Sequence, residues 1–242
     1  MKAIRIEAWQ TMASYRMPVS FIIKESYPLP PYSTVIGMIH AACGYQNYVP
    51  MQVSVQGRGH SSVSEMYTKY DFNPGISYEE GRHQLKIPCG DGYRGVTRGA
   101  GRIELIVDIE LLLHVRTEDE SKLDEVLNGL RYPVNYPSLG RWEDLLRLDT
   151  VEMVDVKKET LPENFILPYD AYVPIEMEKQ YKNEAVWHGT VYALNKDYSI
   201  DQQTGFRRWS PRVRARCASK KSFVTEDENL LMDSKGTPVF FA

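Results

Sequence analysis

The stretch Ile103-Glu-Leu-Ile-Val-Asp-Ile-Glu-Leu-Leu-Leu-His-Val115 decides the fold, because it contains the cleanest two-residue alternation in the chain. Every odd-numbered position from Ile103 to Val115 is apolar, whereas acidic residues and His114 stand among the even-numbered positions. Successive side chains of a strand point to opposite faces. The pattern therefore predicts one long strand whose apolar side chains all lie on the same face.

Further elements are predicted on both sides of this strand. Three other stretches show the alternation of a strand: Lys2–Trp9, Met51–Gly57 and Val151–Val156. One helix is predicted to begin after Ser33 as its N-cap and to end at Gly44, and a second follows a capping box made by Thr117 and Glu120. The order strand, helix, strand, insert, strand, helix, strand predicts an α+β fold with a ferredoxin-like (RRM-like) βαββαβ domain.

The chain is predicted to divide into two parts near residue 160. Residues 1–160 form the ferredoxin-like domain, with an insert at about 58–102 between its second and third strands. Residues 161–242 form a small β-rich C-terminal domain with strands at Ala185–Leu194 and Phe206–Arg216. A length of 242 residues is enough for one full core and a smaller appended unit.

Composition indicates an ordinary soluble protein. The chain is 43% hydrophobic and 25% charged with a net charge of −3, so a site for an anion must be a local concentration of cations. Cys43, Cys89 and Cys217 are too far apart for a disulfide framework or a metal site, which suits a reducing cytosol. The first residues do not form a signal peptide, and no apolar run is long enough to cross a membrane. We expect a cytoplasmic protein that needs no metal or other cofactor.

The insert carries a concentration of cations. Within Gly81–Arg102 a single acid, Asp91, stands among five basic residues, Arg82, Lys86, Arg94, Arg98 and Arg102. Asp91-Gly92 is typical of a two-residue hairpin turn, in which the central residues need positive φ angles. The stretch therefore predicts a protruding β-hairpin that contacts an anionic partner. The alternative is a solvated glycine-rich loop.

A second basic run lies at Phe206–Lys221, which holds seven cations and no acid. In a strand Arg212, Arg214 and Arg216 would project from one face, and arginine binds phosphate with two parallel hydrogen bonds. The run thus predicts a groove for a nucleic-acid backbone, with a solubilising edge strand as the alternative.

Other chemistry has weak support in the sequence. Gly90-Asp-Gly-Tyr-Arg-Gly95 matches the dinucleotide-binding pattern, but Pro88 precedes it and a strand follows, so this interpretation fails. His40 is interpreted as a satisfied core histidine and His114 as structural. A metal-independent ribonuclease that uses Tyr45 or Tyr48 with a histidine stays an alternative.

Two motifs in order carry a family resemblance. Pro30-Pro-Tyr-Ser-Thr-Val-Ile-Gly-Met-Ile39 follows a loop with Tyr15-Arg16, and Pro137-Ser-Leu-Gly-Arg-Trp-Glu-Asp144 follows the second helix. Over roughly its first 156 residues the chain resembles the Cas-five family of CRISPR-associated proteins, subunits of the Cascade surveillance complex in the RAMP superfamily. The second motif is similar to the family's glycine-rich loop, and the basic insert falls where members carry a protruding thumb.

The resemblance implies a ferredoxin-like domain with a small C-terminal domain that binds the 5′ handle of crRNA and caps one end of Cascade. The implied partners are crRNA, the Cas-seven backbone and the large subunit, with target DNA contacted indirectly and no membrane. Most branches do not cut RNA, and the branch that does has a Lys-His pair near the start of the second helix. Thr117–Lys122 is acidic instead, so the resemblance implies the non-cutting kind, closest to type I-B.

The expected RNA contacts share two properties: they are aromatic, cationic or small, and they lie in loops, in the insert or at the first helix. They are Tyr15, Arg16, Ser33, Thr34, Arg58, Tyr93, Arg94, Arg98, Arg102, Ser138, Leu139, Gly140, Arg141, Trp142, Arg207 and Arg208. Single-stranded RNA is held by such side chains through stacking and phosphate contacts. The outer face of the Ile103–Val115 strand is acidic, so loops and thumb rather than the sheet should carry the RNA. A ferredoxin-like interaction domain that binds no RNA is the remaining alternative.

Overall fold

The computed structural model describes residues 1–160, 165–179, 185–220, 222–224 and 229–242. Lys221 of the second basic run lies outside these residues. The strands described are β1 (Lys2–Ala13), β2 (Met51–Ser77), β3 (Leu85–Cys89), β4 (Gly92–Thr117), β5 (Arg147–Thr160), β6 (Phe165–Ile166), β7 (Asp170–Pro174), β8 (Ala185–Val186), β9 (Gly189–Leu194), β10 (Tyr198–Ile200), β11 (Arg207–Trp209), β12 (Val213–Ala218), β13 (Phe223–Val224) and β14 (Asn229–Asp233). The helices are α1 (Tyr32–Cys43), α2 (Leu123–Arg131) and the short α3 (Ile175–Glu178).

One large antiparallel sheet organises the molecule. Across the described residues it has nine strands in the order β14-β5-β1-β4-β2-β7-β12-β9, with β3 added to the end of β4. The four strands predicted for the N-terminal part, β1, β2, β4 and β5, lie side by side in its centre. Helix α1 connects β1 to β2 and α2 connects β4 to β5, and both helices share one hydrophobic core with these strands.

The apolar face of β4 changes side along the strand, which the alternation did not predict. Ile109 and the odd-numbered apolar residues after it pack in the main core, as expected. Asp108 adopts a left-handed backbone with φ of 52°, and before it Ile106 packs against this core. A left-handed residue breaks the strict two-residue period of a strand, and aspartate tolerates this conformation better than most residues. The predicted single face therefore holds only from Ile109 onward.

Helix α1 is positioned by the prolines before it. Its N-cap is Pro31, so the prediction of Ser33 as N-cap is wrong. The backbone N–H of Ser33 donates instead to the carbonyl of Asn195. The helix buries one side, including Val35 and Ile39, and ends at Gly44 with a φ of 69°, as predicted for a C-terminal glycine.

The start of the second helix also differs from the prediction. A 3₁₀ turn at Glu120–Lys122 precedes α2, and Asp119 caps it by accepting a hydrogen bond from the N–H of Ser121. The hydroxyl of Thr117 donates to the carbonyl of Asp119, so Thr117 and Glu120 do not form a capping box. Asp119 takes the N-cap position in place of Thr117, because aspartate is at least as favourable as threonine there.

The basic insert is continuous with the sheet. Strands β2 and β4, of 27 and 26 residues, pair from Met51 opposite Thr117 out to Phe72 opposite Val96. The predicted insert at 58–102 is thus the outer half of two long strands, here called the thumb. A tight turn at Gly90-Asp91 joins β3 to β4, and the positive φ of 58° is at Gly90, which corrects the predicted Asp91-Gly92 turn by one residue.

The C-terminal part adds to the same sheet at both edges. Strands β7, β12 and β9 extend the sheet beyond β2, and β14 pairs with β5 at the opposite edge. Tyr172, Leu194 and Ala215 belong to the core that contains α1. Thus the two parts share a sheet and a core, and the division into domains at residue 160 stays a prediction. The predicted strand Ala185–Leu194 is described as β8 and β9, and Phe206–Arg216 as β11 and the start of β12.

A buried ionic cluster joins the chain's two ends on the other face of the sheet. The Arg5 guanidinium lies 2.7 Å from the Asp233 carboxylate, which also accepts a hydrogen bond from His114 Nε2 at 3.0 Å. Burial alone would raise the pKa of the Asp233 carboxyl, but hydrogen bonds from His114 and Arg5 hold this pKa below its usual value. Burial lowers the pKa of His114, so its imidazole is neutral and donates from Nε2. His114 is completely buried, as the structural interpretation expected.

Asp233→Asn is expected to destabilise the fold by about 3 kcal/mol, because it removes the buried carboxylate shared by Arg5 and His114 and leaves Arg5 with only the more exposed Glu7 and Glu152. The measurement is chemical denaturation followed by circular dichroism. Asp149→Asn is the matched control, since Asp149 pairs with Arg147 on the surface and such pairs contribute about 1 kcal/mol or less. Equal losses for the two variants would contradict the role assigned to the cluster.

Acidification is expected to lower stability below about pH 6.5, the ordinary histidine value, because the unfolded chain then takes up a proton that the folded His114 refuses. The contribution of Asp233 has the same sign but is lost only at lower pH, below the ordinary pKa of an aspartate. His114→Gln should flatten the stability profile between about pH 5 and 6.5. A profile unchanged by this variant would show that His114 titrates alike in both states.

Candidate nucleic-acid interface

The exposed face of α1 forms the floor of a groove. Ser33, Thr34, Gly37 and Ala41 lie on this face, and a Cβ atom built on Gly37 would meet no atom within 4 Å. A glycine inside a helix costs about 1 kcal/mol relative to alanine, and packing does not require this one. Because Gly37 has no side chain, the helix backbone at this point is accessible to a ligand in the groove.

On one side of Gly37 lies a cleft of about 230 Å³, here called the glycine-loop cleft. Its lining residues are Thr34, Gly37, Met38, Ala41, Ser138, Gly140, Arg141 and Trp142. Gly140 has a φ of 116°, and a Cβ there would lie 2.7 Å from Asp144 Oδ2 and 3.0 Å from the carbonyl oxygen of Ser14. Only glycine fits this position. The predicted glycine-rich loop thus borders the groove through its backbone.

Asp144 holds this loop in shape. Its side chain is 1% exposed and accepts hydrogen bonds from the backbone N–H groups of Ser14 and Arg141. The Arg141 guanidinium donates to the same carboxylate at 2.7 Å and lies 3.0 Å from Glu143. Hydrogen bonding to Asp144 raises the pKa of Arg141. The predicted ligand contact Arg141 therefore reaches the cleft with its charge balanced, whereas Trp142 is 91% exposed.

On the other side of Gly37 lies a more enclosed cleft of about 150 Å³, here called the aromatic cleft. Its lining residues are Ser33, Ile36, Gly37, His40, Tyr48, Lys196, Tyr198, Arg207 and Trp209. His40 stacks on Tyr48 at 5.5 Å with an interplanar angle of 14°, and Tyr198 contacts both Tyr48 and Trp209. The Arg207 guanidinium lies 4.0 Å from the Tyr198 ring centroid. The cleft therefore offers several planar groups beside a cation.

A cluster of cations lies at the base of the thumb. Burial lowers the pKa of Lys24, and neighbouring positive charges lower it further. These charges are those of Arg16, Lys69 on β2 and Arg141 in the glycine loop. Lys24 also stands 4.3 Å from the ring centroid of Tyr67. The cluster brings together three segments that are far apart in sequence, of which sequence reasoning found Arg16 and Arg141.

Along the thumb the predicted contacts differ in availability. Arg98 and Arg102 are exposed. Tyr93 is 53% exposed with Lys86 4.1 Å from its ring centroid, and the Arg94 guanidinium donates to Cys89 Sγ. Nearer the sheet, the Arg58 guanidinium forms two hydrogen bonds with Glu110. The freest cations of the thumb are therefore Arg98 and Arg102.

Three other predicted contacts have a different environment from the one expected. Tyr15 is 2% exposed and its hydroxyl donates to Gln10, so the prediction that Tyr15 faces a ligand is wrong: its ring fills the core. Leu139 is 1% exposed and anchors the glycine loop in the core, so its side chain does not reach the cleft. Arg208 points away from the aromatic rings and pairs with Asp201.

Sequence reasoning missed Lys24, Lys69, Lys196 and Tyr198. For Tyr198 the sequence did contain a signal, because Tyr198 and Trp209 flank the turn of the β10–β11 hairpin, in which they stand opposite each other. The position of that hairpin beside α1 is visible only in the three-dimensional structure. Lys24 and Lys69 lack any local pattern that would mark them.

The side chains considered for RNA cleavage are engaged in internal contacts. His40 Nδ1 donates to the carbonyl of Ile36 and its Nε2 accepts from the N–H of Val49, which confirms the interpretation as a satisfied histidine. The Tyr48 hydroxyl donates to Asp197 at 2.5 Å. Burial raises the pKa of both Tyr45 and Tyr48, so these phenols stay protonated.

Two kinds of feature are absent from the residues that the structure describes. In this part of the chain no three His, Cys, Asp or Glu side chains are grouped so that they could hold a metal ion. Nor does any described helix have the length and apolar character needed to span a membrane.

Comparison with known proteins identifies the class as CRISPR-associated. The model of the family described as CRISPR-associated protein (Cas_Cas5) matches residues 3–218. The chain therefore belongs to this Cas-five family, which confirms the resemblance of the two motifs. No curated protein matches the chain.

The chain is similar to solved structures of CRISPR proteins. The chain is similar to one described as a "CRISPR RNA-guided surveillance complex", with 18% identity, a TM-score of 0.55 and coverage of 94% of this chain and 91% of that chain. It is also similar to a "CRISPR protein from Archaeoglobus fulgidus", with 10% identity, a TM-score of 0.46 and coverage of 99% and 98%. The first likeness supports the fold, a mixed and mostly stranded antiparallel architecture.

Gly37→Ala is expected to raise the free energy of unfolding by about 0.5–1 kcal/mol, because alanine is the better helix former and its methyl group enters open space. Gly129→Ala in α2 is the matched control and should destabilise, since its Cβ would lie 2.5 Å from Cys43 Sγ. Chemical denaturation measures both. A destabilising Gly37→Ala would show that the groove floor is more crowded than described.

Proposed function

We propose that this chain binds and caps the 5′ handle of crRNA and helps to assemble an antiviral surveillance complex. The observation that carries the proposal is the convergence of aromatic and cationic side chains on the open face of α1, in a chain whose net charge is −3. Single-stranded RNA is bound by cations along its backbone and by planar groups under its bases. The groove on either side of Gly37 supplies both.

The central strands and two helices are the ferredoxin-like unit of this proposal. Support comes from the order β5-β1-β4-β2, all antiparallel, in which each helix connects a pair of strands that are not neighbours. The opposite face of the sheet is covered by residues of the C-terminal segment, since Gln56 donates to the carbonyl of Pro238 and Val239 packs beside Val154 and Val156. RNA is therefore expected at the groove and thumb, not on the sheet face.

The proposed protein partners are the Cas-seven backbone and the large subunit, with target DNA contacted indirectly. The thumb supports this assignment, because its outer half is a paired ribbon with exposed Met66 and Phe72 beside Arg98 and Arg102. Such a ribbon can press apolar side chains on a neighbouring subunit while its arginines contact RNA. The proposed complex is cytoplasmic and belongs to type I-B.

In this proposal the chain binds RNA and does not cut it. His40 has both ring nitrogens bonded to the backbone, and the Tyr48 hydroxyl is held by Asp197. A general base needs a free nitrogen or oxygen near the attacking hydroxyl group, and these groups are occupied. The alternative is a metal-independent endoribonuclease with Tyr45 or Tyr48. For Tyr48 and His40 it would require these hydrogen bonds to break, and for Tyr45 it would require deprotonation of a phenol whose pKa is raised by burial.

Handle RNA is expected to bind with steep salt dependence. The probe is the small RNA recovered from cells that express this chain with its genomic neighbours and a repeat array. Its affinity is measured by fluorescence anisotropy between about 50 and 200 mM salt. Arg98→Gln/Arg102→Gln should reduce the slope of log K against log salt by about 1.4, which corresponds to two lost phosphate contacts.

Lys157→Gln/Lys158→Gln removes the same two charges from exposed positions on β5 and is the matched control. It should leave the slope unchanged. Binding without salt dependence would contradict the proposed phosphate contacts, and no binding at all would favour an interaction domain that binds no RNA. A denaturing gel of the same mixtures in EDTA should show intact RNA, whereas a discrete cleavage product would favour the nuclease.

A further inference from the structure

The aromatic cleft is smaller and more enclosed than the glycine-loop cleft on the other side of Gly37. We propose that it holds a single unpaired keto nucleobase, uracil or guanine, turned out of the bound strand. This inference rests on the proposed RNA-binding function and adds a base-reading site to it. Ser33, Lys196 and Arg207 are assigned as the groups that read the base edge.

Shape and surfaces favour a planar ligand. The rings of Tyr48, Tyr198 and Trp209 line a space of about 150 Å³, and the Arg207 guanidinium lies 4.0 Å from the Tyr198 ring centroid. Gly37 forms part of the wall without a side chain. Stacking of a base on an aromatic ring contributes about 1–3 kcal/mol in single-strand binding. A flat heterocycle therefore has several surfaces to stack on, and the bare helix backbone lets it approach closely.

The polar groups of the cleft divide into those already used and those still free to bind. His40 has a backbone partner at each ring nitrogen, and the hydroxyl hydrogen of Tyr48 is given to Asp197. Lys196 is 3.5 Å from Asp197, which leaves two of its three N–H groups for another acceptor. Within the described residues Arg207 has ring contacts but no ion pair. Ser33 contributes a hydroxyl.

These free groups are mostly hydrogen-bond donors, and two of them are cations. Guanine offers the acceptors O6 and N7, and uracil offers O4 as thymine does, whereas adenine and cytosine present amino donors at the corresponding positions. An amino group facing Lys196 or Arg207 would put donor against donor and leave a partner unsatisfied. The cleft should therefore prefer keto bases over amino bases.

The hairpin supplies a matched pair of variants. Arg207 lies over the rings of Tyr198 and Trp209, whereas the adjacent Arg208 is on the opposite face and pairs with Asp201 at 2.5 Å. Arg207→Gln and Arg208→Gln remove the same charge one residue apart. Both side chains are exposed, so neither change should unfold the protein.

The experiment compares hexauridylate with hexacytidylate, which differ in the donors and acceptors of the base edge. Binding to the full chain is measured by anisotropy of a 3′ label at fixed salt. We expect hexauridylate to bind about tenfold more tightly, as one discriminating hydrogen-bond set provides. Arg207→Gln should abolish the preference, whereas Arg208→Gln should keep it. Trp209→Ala should weaken both oligomers, and Trp209→Phe should restore most of the affinity.

The two proposals fail in different ways. The keto-base site is overturned by equal binding of the two oligomers, by no binding of either while handle RNA binds, or by equal loss of the preference in both arginine variants. In each of these cases salt-dependent binding of handle RNA still supports the general function. If handle RNA and both oligomers fail to bind at every salt concentration, the RNA-binding function fails, and the base-reading site fails with it.

Discussion

The pairing of β2 with β4 over almost their whole length is the constraint on which the rest of the structure depends. Near Met51 and Thr117 this ladder is covered by α1, α2 and the main core. Further out the same two strands extend beyond these helices, and their side chains become exposed. One continuous hydrogen-bonded ribbon thus serves as core at one end and as thumb at the other. Because the ladder is continuous, the position of the thumb is tied to the register of the core.

The two faces of the sheet are covered by different parts of the chain, and this decides which surface is left for a ligand. The helices cover one face, and the C-terminal segment covers much of the other through the buried contacts of Arg5 and Asp233 with His114. What stays open is the outer side of α1, where Gly37 leaves the backbone bare. The groove therefore follows from the way the sheet is closed on both sides.

Much of the fold could be predicted from the sequence, because the central elements have strong local patterns. The alternation of β4 and the apolar stripe of α1 identified the inner strands and helix. The errors arose where a local rule met a competing residue: Asp108 in a left-handed conformation, Asp119 in place of Thr117 as the cap, and Gly90 in place of Gly92 at the turn. Asp119 and Gly90 each satisfy the same physical requirement as the predicted residue two positions away, whereas Asp108 interrupts the alternation itself.

The candidate site was predictable in part. Loops with a clear motif, such as Ser138–Trp142, were found, whereas Lys24, Lys69 and Lys196 became visible only when the fold brought them beside Arg141 or Tyr198. A motif is local in sequence, but a ligand site is assembled from segments that are distant in the chain. Tyr15 shows the converse error, since a residue beside a motif can be aromatic because the core needs its ring.

Charge pairing separates cations that hold the fold from cations left for a ligand. Arg58, Arg141 and Arg216 each have a carboxylate within hydrogen-bonding distance, and these pairs join β2 to β4, fix the glycine loop and join β12 to α3 respectively. Among the described residues Arg16, Arg98, Arg102 and Arg207 have no such ion pair. They lie at the thumb, at its base and at the aromatic cleft. An overall negative chain can therefore present a positive surface, because its acids neutralise the structural arginines and leave the others free.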